Sequence, residues 1–256
     1  MPRELSESDG RIASARVEIR GNRKRFEDRV AGSMPATLVS WYPEDFCEKI
    51  NSFAYNGDMY FIGDVHGLFV DYGEIIKDLP ESVQLGDMGL GFTKKIDARF
   101  PTSTDHVFIR GNHDNPEACR SMPNYLGDFG TFGFDMFFIS GGYSIDWRMR
   151  TMGVDIWLDE ELRASQFFAA GKEYEEAAPR VMFTHECPGN VMHEVGTVDL
   201  GESSTARSLK ALFEIHKPEL WVFAHHHKNK EFDYKGTHFV CIDELGVYDS
   251  ERGKFL

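Results

Sequence analysis

Nowhere does the 256-residue chain string together the eighteen or so apolar residues that a bilayer-spanning helix needs, which excludes an integral helical membrane protein. Its first residues, MPRELSESDGRIASAR, lack the apolar core of a secretory signal, so the expected compartment is the cytoplasm. The four cysteines (Cys47, Cys119, Cys187 and Cys241) are scattered without a CxxC pair, which argues against a disulfide framework or zinc ribbon and for buried thiols. Basic residues are also in deficit. With 28 Lys and Arg against 42 Asp and Glu, the net charge of −14 disfavours non-specific nucleic-acid binding, which needs cations to displace phosphate counterions. Walker-type glycine loops, GxSxG elbows and Cys–His nucleophile pairs are missing, so ATPase and acyl-transfer chemistry have no support.

What the chain does have is organisation. Residues 1–35 are rich in charge and poor in large apolar groups, as expected of a solvated arm or capping element, and residues 36–256 form the expected enzyme domain. There, short apolar runs at Met59–Ile62, Ser82–Leu85, His106–Ile109, Phe134–Ser140, Arg180–Thr184, Leu220–Ala224 and His238–Ile242 predict strands. Helical spacing predicts helices over Leu68–Leu79, Asp159–Ala178 and Thr205–His216, which together make an α/β fold.

The ends of several runs carry metal-ligand residue types. They read Gly63-Asp64-Val65-His66-Gly67, Gly86-Asp87, Gly111-Asn112-His113-Asp114, Thr184-His185 and Ala224-His225-His226-His227. In an extended segment alternate side chains share a face, so Asp64 with His66, and His225 with His227, are expected to reach one ion together. Mixed carboxylate and imidazole donors suit Mn, Fe or Zn better than Ca or Mg alone. Asp64, Asp87 and Asn112 follow one another at about two dozen residues, the length of a strand–helix–strand unit, which puts each at the same end of successive strands.

These five blocks, in this order, resemble the calcineurin-like metallophosphoesterase superfamily over about residues 58–245. The resemblance implies an αββα sandwich, two mixed β-sheets flanked by helices, with a dinuclear metal site at the carboxyl ends of the strands. Carried over by position, it places Asp64, His66 and His227 on one metal and Asn112, His185 and His225 on the other. Asp87 bridges them, and His113 protonates the leaving group. Two divalent ions are the implied cofactors, with Mn2+ foremost and Fe, Zn, Ni or Mg as alternatives. Such a pair can activate a water between them and hold a phosphoryl group for in-line attack. Two dications against two aspartates leave the site at about +2, enough to draw in a phosphate ester locally despite the acidic chain.

The sequence also departs from the family's protein phosphatases, which read GDxxDRG in the second block. Leu90 and Gly91 stand where those enzymes carry the Asp that supports the catalytic His and the Arg that grips phosphate. Asp114 is the candidate orienter of His113. Asn112, His113 and Arg110 are the candidate substrate contacts, with Arg148 and Arg150 as further substitutes for the missing arginine. Ala224 replaces a customary glycine, tolerable unless the backbone there needs a positive φ. His226 is expected to be a neighbour of the ligands. The stretch Tyr143-Ser144-Ile145-Asp146 through Arg150, with Trp157 and Glu160-Glu161-Leu162, resembles a bacterial and phage subgroup of the superfamily. The expected activity is hydrolysis of phosphomonoesters, small molecules or nucleotides. A phosphodiesterase acting on cyclic nucleotides or nucleic-acid ends is the alternative, followed by a non-catalytic scaffold of the same fold.

Overall fold

A computed structural model describes residues 59–92, 100–133, 135–196 and 203–256. All of these lie in the compact unit Glu48–Leu256; the predicted arm at 1–35 falls outside the described residues.

Strand β1 (Tyr60–Ile62), helix α1 (Phe69–Ile76), strand β2 (Ser82–Gln84) and strand β3 (His106–Phe108) open the order, followed by the short helix α2 (Pro116–Arg120). Strands β4 (Phe129–Phe132) and β5 (Met136–Ile139) pair as a hairpin, and a long connection containing a 3-10 turn (Trp147–Met149) leads to helix α3 (Ala164–Ala177). Next come β6 (Val181–Thr184), α4 (Met192–Val195), α5 (Ser204–Ile215), β7 (Leu220–Phe223), β8 (Lys230–Tyr234), β9 (Thr237–Cys241), β10 (Val247–Asp249) and β11 (Lys254–Phe255). One sheet runs β11-β10-β1-β2-β3 and the other β4-β5-β6-β7-β9-β8. Both are mixed: β1, β2 and β3 are parallel while β10 is antiparallel to β1, and β5, β6, β7 and β9 are parallel with antiparallel edges at β4 and β8.

The two-residue period of the strands explains the layers. On β6, Val181 and Phe183 enter the core shared by the two sheets, together with Phe61, Val83, Val107, Phe138, Val222 and Val240. Their alternates Met182, Trp221, Phe223 and Phe239 face the other way, onto Phe167, Tyr174, Leu209 and Phe213 of α3 and α5. On the outer face of the first sheet Ile62 and Phe108 meet Phe69, Tyr72 and Ile76 of α1. The result is helix, sheet, sheet, helix, the expected sandwich. Each large side chain buried there contributes about 1.5–3 kcal/mol of transfer free energy.

Element ends move where side chains are used elsewhere. The helix expected from Asp159 begins at Ala164, because Glu160 and Glu161 turn their carboxyls to Ser144 and Thr205 and Arg163 is extended at the N-cap. Ser203 caps α5 by accepting from the Ala206 N–H, so that helix starts one residue before the expected Thr205. The strand expected from Phe134 begins at Met136; Phe134 itself lies outside the described residues.

Candidate metal centre

The loops leaving β1, β2, β3, β6 and β7 meet at one end of the two sheets, and they bring Asp64, His66, Asp87, Asn112, His113, His185, His225 and His227 together. Alternation along extended strands does not do this. His66, Asp87, His225 and His227 have φ of +48°, +53°, +68° and +50°, so the ligand segments are tight left-handed turns. The expectation of extended pairs is therefore corrected: the turns bring Asp64 and His66 into one cluster but send His225 and His227 into two different ones. The Val65 and His66 N–H groups both donate to the Asp87 carbonyl at 3.0 and 2.8 Å, which locks the first turn to the second. Ala224 is not among the residues with positive φ, so its methyl group costs the last turn nothing.

Glycine is required at two close approaches. A Cβ on Gly111 would lie 2.2 Å from Oδ1 of Asp87, and one on Gly86 would lie 2.7 Å from Nδ1 of His185, at a φ of +97°.

The donor atoms are close. Three clusters have their ligand atoms mutually within 4.8 Å: Asp64, His66 and His227; His66, Asp87 and His113; and Asp87, His185 and His225. Nε2 of His227 is 2.8 Å from Oδ2 of Asp64, and Nε2 of His66 lies 3.1 Å from Nε2 of His227. Nε2 of His185 lies 3.3 Å from Oδ1 of Asp87, 3.1 Å from Oδ1 of Asn112 and 3.1 Å from Nδ1 of His225.

The hydrogen bonds around His185 and Asn112 test whether this arrangement fits cations. The Leu85 carbonyl, 2.9 Å from Nδ1 of His185, can only accept, so the proton of a neutral ring sits on Nδ1 and Nε2 is a bare lone pair. Asn112 donates its amide nitrogen to Ser144 Oγ at 3.2 Å, and Ser144 Oγ donates in turn to Glu160 at 3.0 Å, so Oδ1 of Asn112 also points inward as an acceptor. Nε2 of His185 thus faces two oxygen acceptors with no donor between them. Oδ2 of Asp64 is sealed from solvent without a well-aligned hydrogen-bond donor, although Nε2 of His227 is nearby. Acceptor facing acceptor is repulsive unless a cation lies between: without a metal a proton on His185 takes that place, and the donor set fits a metal ion that would displace it.

The field has the same sign. Burial raises the Asp64 carboxyl, but His227, His66 and His185 outweigh it and bring it down to about 2. Burial lowers His185, and Asp87 and Asp64 reverse this to about 10. His113 is lowered from its usual value by burial and by Arg150, against the pull of Asp87.

Several supporting groups carried no signal in the sequence. Phe92 stacks on His113 with ring centroids 4.9 Å apart and an interplanar angle of 17°. Oε1 of Glu244 lies 3.4 Å from Nδ1 of His227 and 3.5 Å from Nε2 of His66. Glu244 could not be found from motif spacing, because it reaches the site from the loop between β9 and β10. His226 contacts Cys187 Sγ at 3.3 Å and has its ring centroid 5.1 Å from that of His225.

Two candidate contacts are buried and bonded to other groups. Asp114 is buried, and its carboxylate accepts the Gly111, Gly89, Leu90 and Met88 N–H groups at 2.8, 2.8, 3.0 and 3.2 Å, so it braces the second and third loops through their backbones. Burial and Asp87 push it up to about 6 against those donors. Arg110 is also buried, donating to the Asp128 carboxylate at 3.2 Å and the Glu160 carbonyl at 2.6 Å. The arginine that does reach His113 is Arg150, whose Nη2 contacts Nε2 of His113.

The sequence pattern of the calcineurin-like phosphoesterases matches residues 57–229, the stretch that holds every residue of this cluster but Glu244. The chain belongs to that family. As a calcineurin-like phosphoesterase it is a phosphoester hydrolase of a metal-dependent family. No curated protein matches it. Among solved structures it is similar to TT1561 of Thermus thermophilus, at 11% identity and a TM-score of 0.46 over 77% of this chain and 96% of that one. It is similar also to the phosphopantetheinyl hydrolase of Mycobacterium tuberculosis, at 11% identity and a TM-score of 0.37 over 73% of this chain and 89% of that one. Likenesses this distant do not bear on the substrate. No helix among the described residues of this phosphoesterase is long and apolar enough to cross a membrane.

Proposed function

We propose that this phosphoesterase hydrolyses phosphomonoesters, small molecules or nucleotides, in the cytoplasm and with two divalent ions, Mn2+ foremost. Asp64, His66 and His227 would hold one ion and Asn112, His185 and His225 the other, with Asp87 shared. When bound, such a pair supplies Lewis-acid polarisation of the phosphoryl oxygens and a water acidic enough to attack at neutral pH.

The protein's own groups do the rest. Leu85 and Ser144 fix the His185 and Asn112 side chains so that their acceptor atoms face inward. His113, stacked on Phe92, is the group to hand a proton to the departing alkoxide, a contribution of roughly 10²–10⁴ in rate. The observation that carries the choice of monoesters is Arg150 beside His113. A monoester dianion keeps a charge that a diester lacks, and a guanidinium beside His113 favours the extra negative charge.

The test compares p-nitrophenyl phosphate with bis(p-nitrophenyl) phosphate in Mn2+. A higher kcat/KM on the monoester is expected, and a dominant rate on the bis ester would put a phosphodiesterase in its place. Protein holding less than one metal per chain and splitting neither ester would be a scaffold.

A further inference from the structure

An open pocket of about 390 Å³ is lined by Tyr143, Trp147, Ile156, Trp157, Glu160 and Glu161 among others. Its size suits a small organic ligand. Two lines of contact tie it to the metal cluster. Glu160 accepts from the N–H and the hydroxyl of Ser144, and Ser144 accepts from Asn112. Trp157 meets the Phe92 ring at 6.0 Å, and Phe92 stacks on His113.

The lining selects a chemistry. None of its residues is cationic and two are carboxylic acids, so a second phosphate would be repelled there. Three of them are aromatic, and Trp147 remains 45% exposed even with the Arg148 guanidinium 5.3 Å from its ring centroid, so a flat ligand can still cover part of the ring. The bonds that Glu161 makes with Thr205 fall on Oε1, which leaves Oε2 to accept from a ligand. Arg150 leads back to His113 from the same segment: its own N–H bonds the Trp147 carbonyl at 3.2 Å and its Nη2 contacts Nε2 of His113.

We infer that this cavity is the subsite for the organic half of the ester, and that the group it takes is a nucleobase, packed against Trp147 and Trp157 with its N–H donors turned to Glu161. The inference rests on the phosphomonoesterase proposal and makes the substrate a nucleoside monophosphate.

The experiment measures phosphate release from adenosine 5′-monophosphate and from glycerol 2-phosphate in Mn2+, for the native protein, Trp147→Ala and Trp147→Phe. The native protein should favour the nucleotide at least about tenfold in kcat/KM. Trp147→Ala should cut that ratio about tenfold, chiefly through KM, as expected of one lost base–aromatic stack, and Trp147→Phe should restore most of it. A native preference for glycerol 2-phosphate, or a ratio that Trp147→Ala leaves unchanged, overturns the subsite. Hydrolysis of neither ester counts against the phosphomonoesterase proposal itself. The subsite is then decided by adenosine quenching of tryptophan fluorescence in metal-free protein. Saturable quenching that weakens about tenfold in Trp147→Ala supports it, and none in the native protein overturns it.

Discussion

Nη2 of Arg150 touches Nε2 of His113, although the two residues sit on loops that follow different strands of different sheets. The guanidinium is anchored from behind: Nε pairs with Asp146 at 2.6 Å and Nη1 donates to the Asp155 carbonyl at 3.1 Å. It comes from the long connection between β5 and α3 and stands beside His113, whereas the second sequence block carries no arginine.

Arg150→Ala should therefore weaken a monoester more than a diester. A charge-assisted bond is worth about 1.5–3 kcal/mol, so KM for p-nitrophenyl phosphate should rise at least about tenfold. The bis ester should move by less than about threefold, and equal losses on both would remove Arg150 from charge recognition.

His113 and Asp87 should separate by metal content. His113→Ala should retain metal and fold while kcat drops by roughly 10²–10⁴. Asp87→Ala should lose metal as well, because it removes the carboxylate nearest His185 and takes away the acceptor of the His113 N–H at 2.6 Å. Metal analysis of the two purified variants decides, and matching losses would contradict the division.

Asp114 should act on stability. Asp114→Ala strands three buried backbone N–H groups and the half-buried one of Gly89, at a cost of at least about 3 kcal/mol, which lowers Tm by roughly 6–12 °C in a chain of this size. Calorimetry checks this. An unchanged Tm with lost turnover would instead return Asp114 to the orientation of His113.

Asp128 gives a pH dependence away from the metals. Burial raises its carboxyl, but Arg110 and Arg120 outweigh that and hold it below the usual range. A depressed folded value means the stabilisation is complete above the unfolded pKa near ~3.9 and fades as pH falls through the folded one. Asp128→Asn leaves the buried Arg110 without its counter-charge and should cost about 3–5 kcal/mol at pH 7. That difference should shrink steadily below about pH 4, and a pH-independent gap in denaturation midpoints would refute the ion-pair account.

Much of the architecture was legible because strands buried on both faces are short apolar runs, and those at Ser82–Leu85 and Leu220–Ala224 became β2 and β7 nearly residue for residue. The cluster of candidate ligands was legible because metal chemistry allows few residue types and the five blocks keep their order. The conformation that joins His66, Asp87, His225 and His227 was not, since an L-residue at positive φ is held there by the Asp87 carbonyl and the surrounding loops rather than by its own preference.

By itself, then, the chain's pattern of apolar runs gave the α/β class, and its motifs carried the resemblance that implied the layered fold and the family and nominated Asp64, His66, Asp87, Asn112, His185, His225 and His227 as candidate metal ligands. Only tertiary structure decided that Asp114 braces backbones, that Arg110 is spent on Asp128, and that Arg150, Phe92 and Glu244 close around the cluster. The reason is physical. A ligand set is a matter of which atoms can donate electron pairs, whereas which charge faces which neighbour depends on how loops far apart in sequence pack at one end of two sheets.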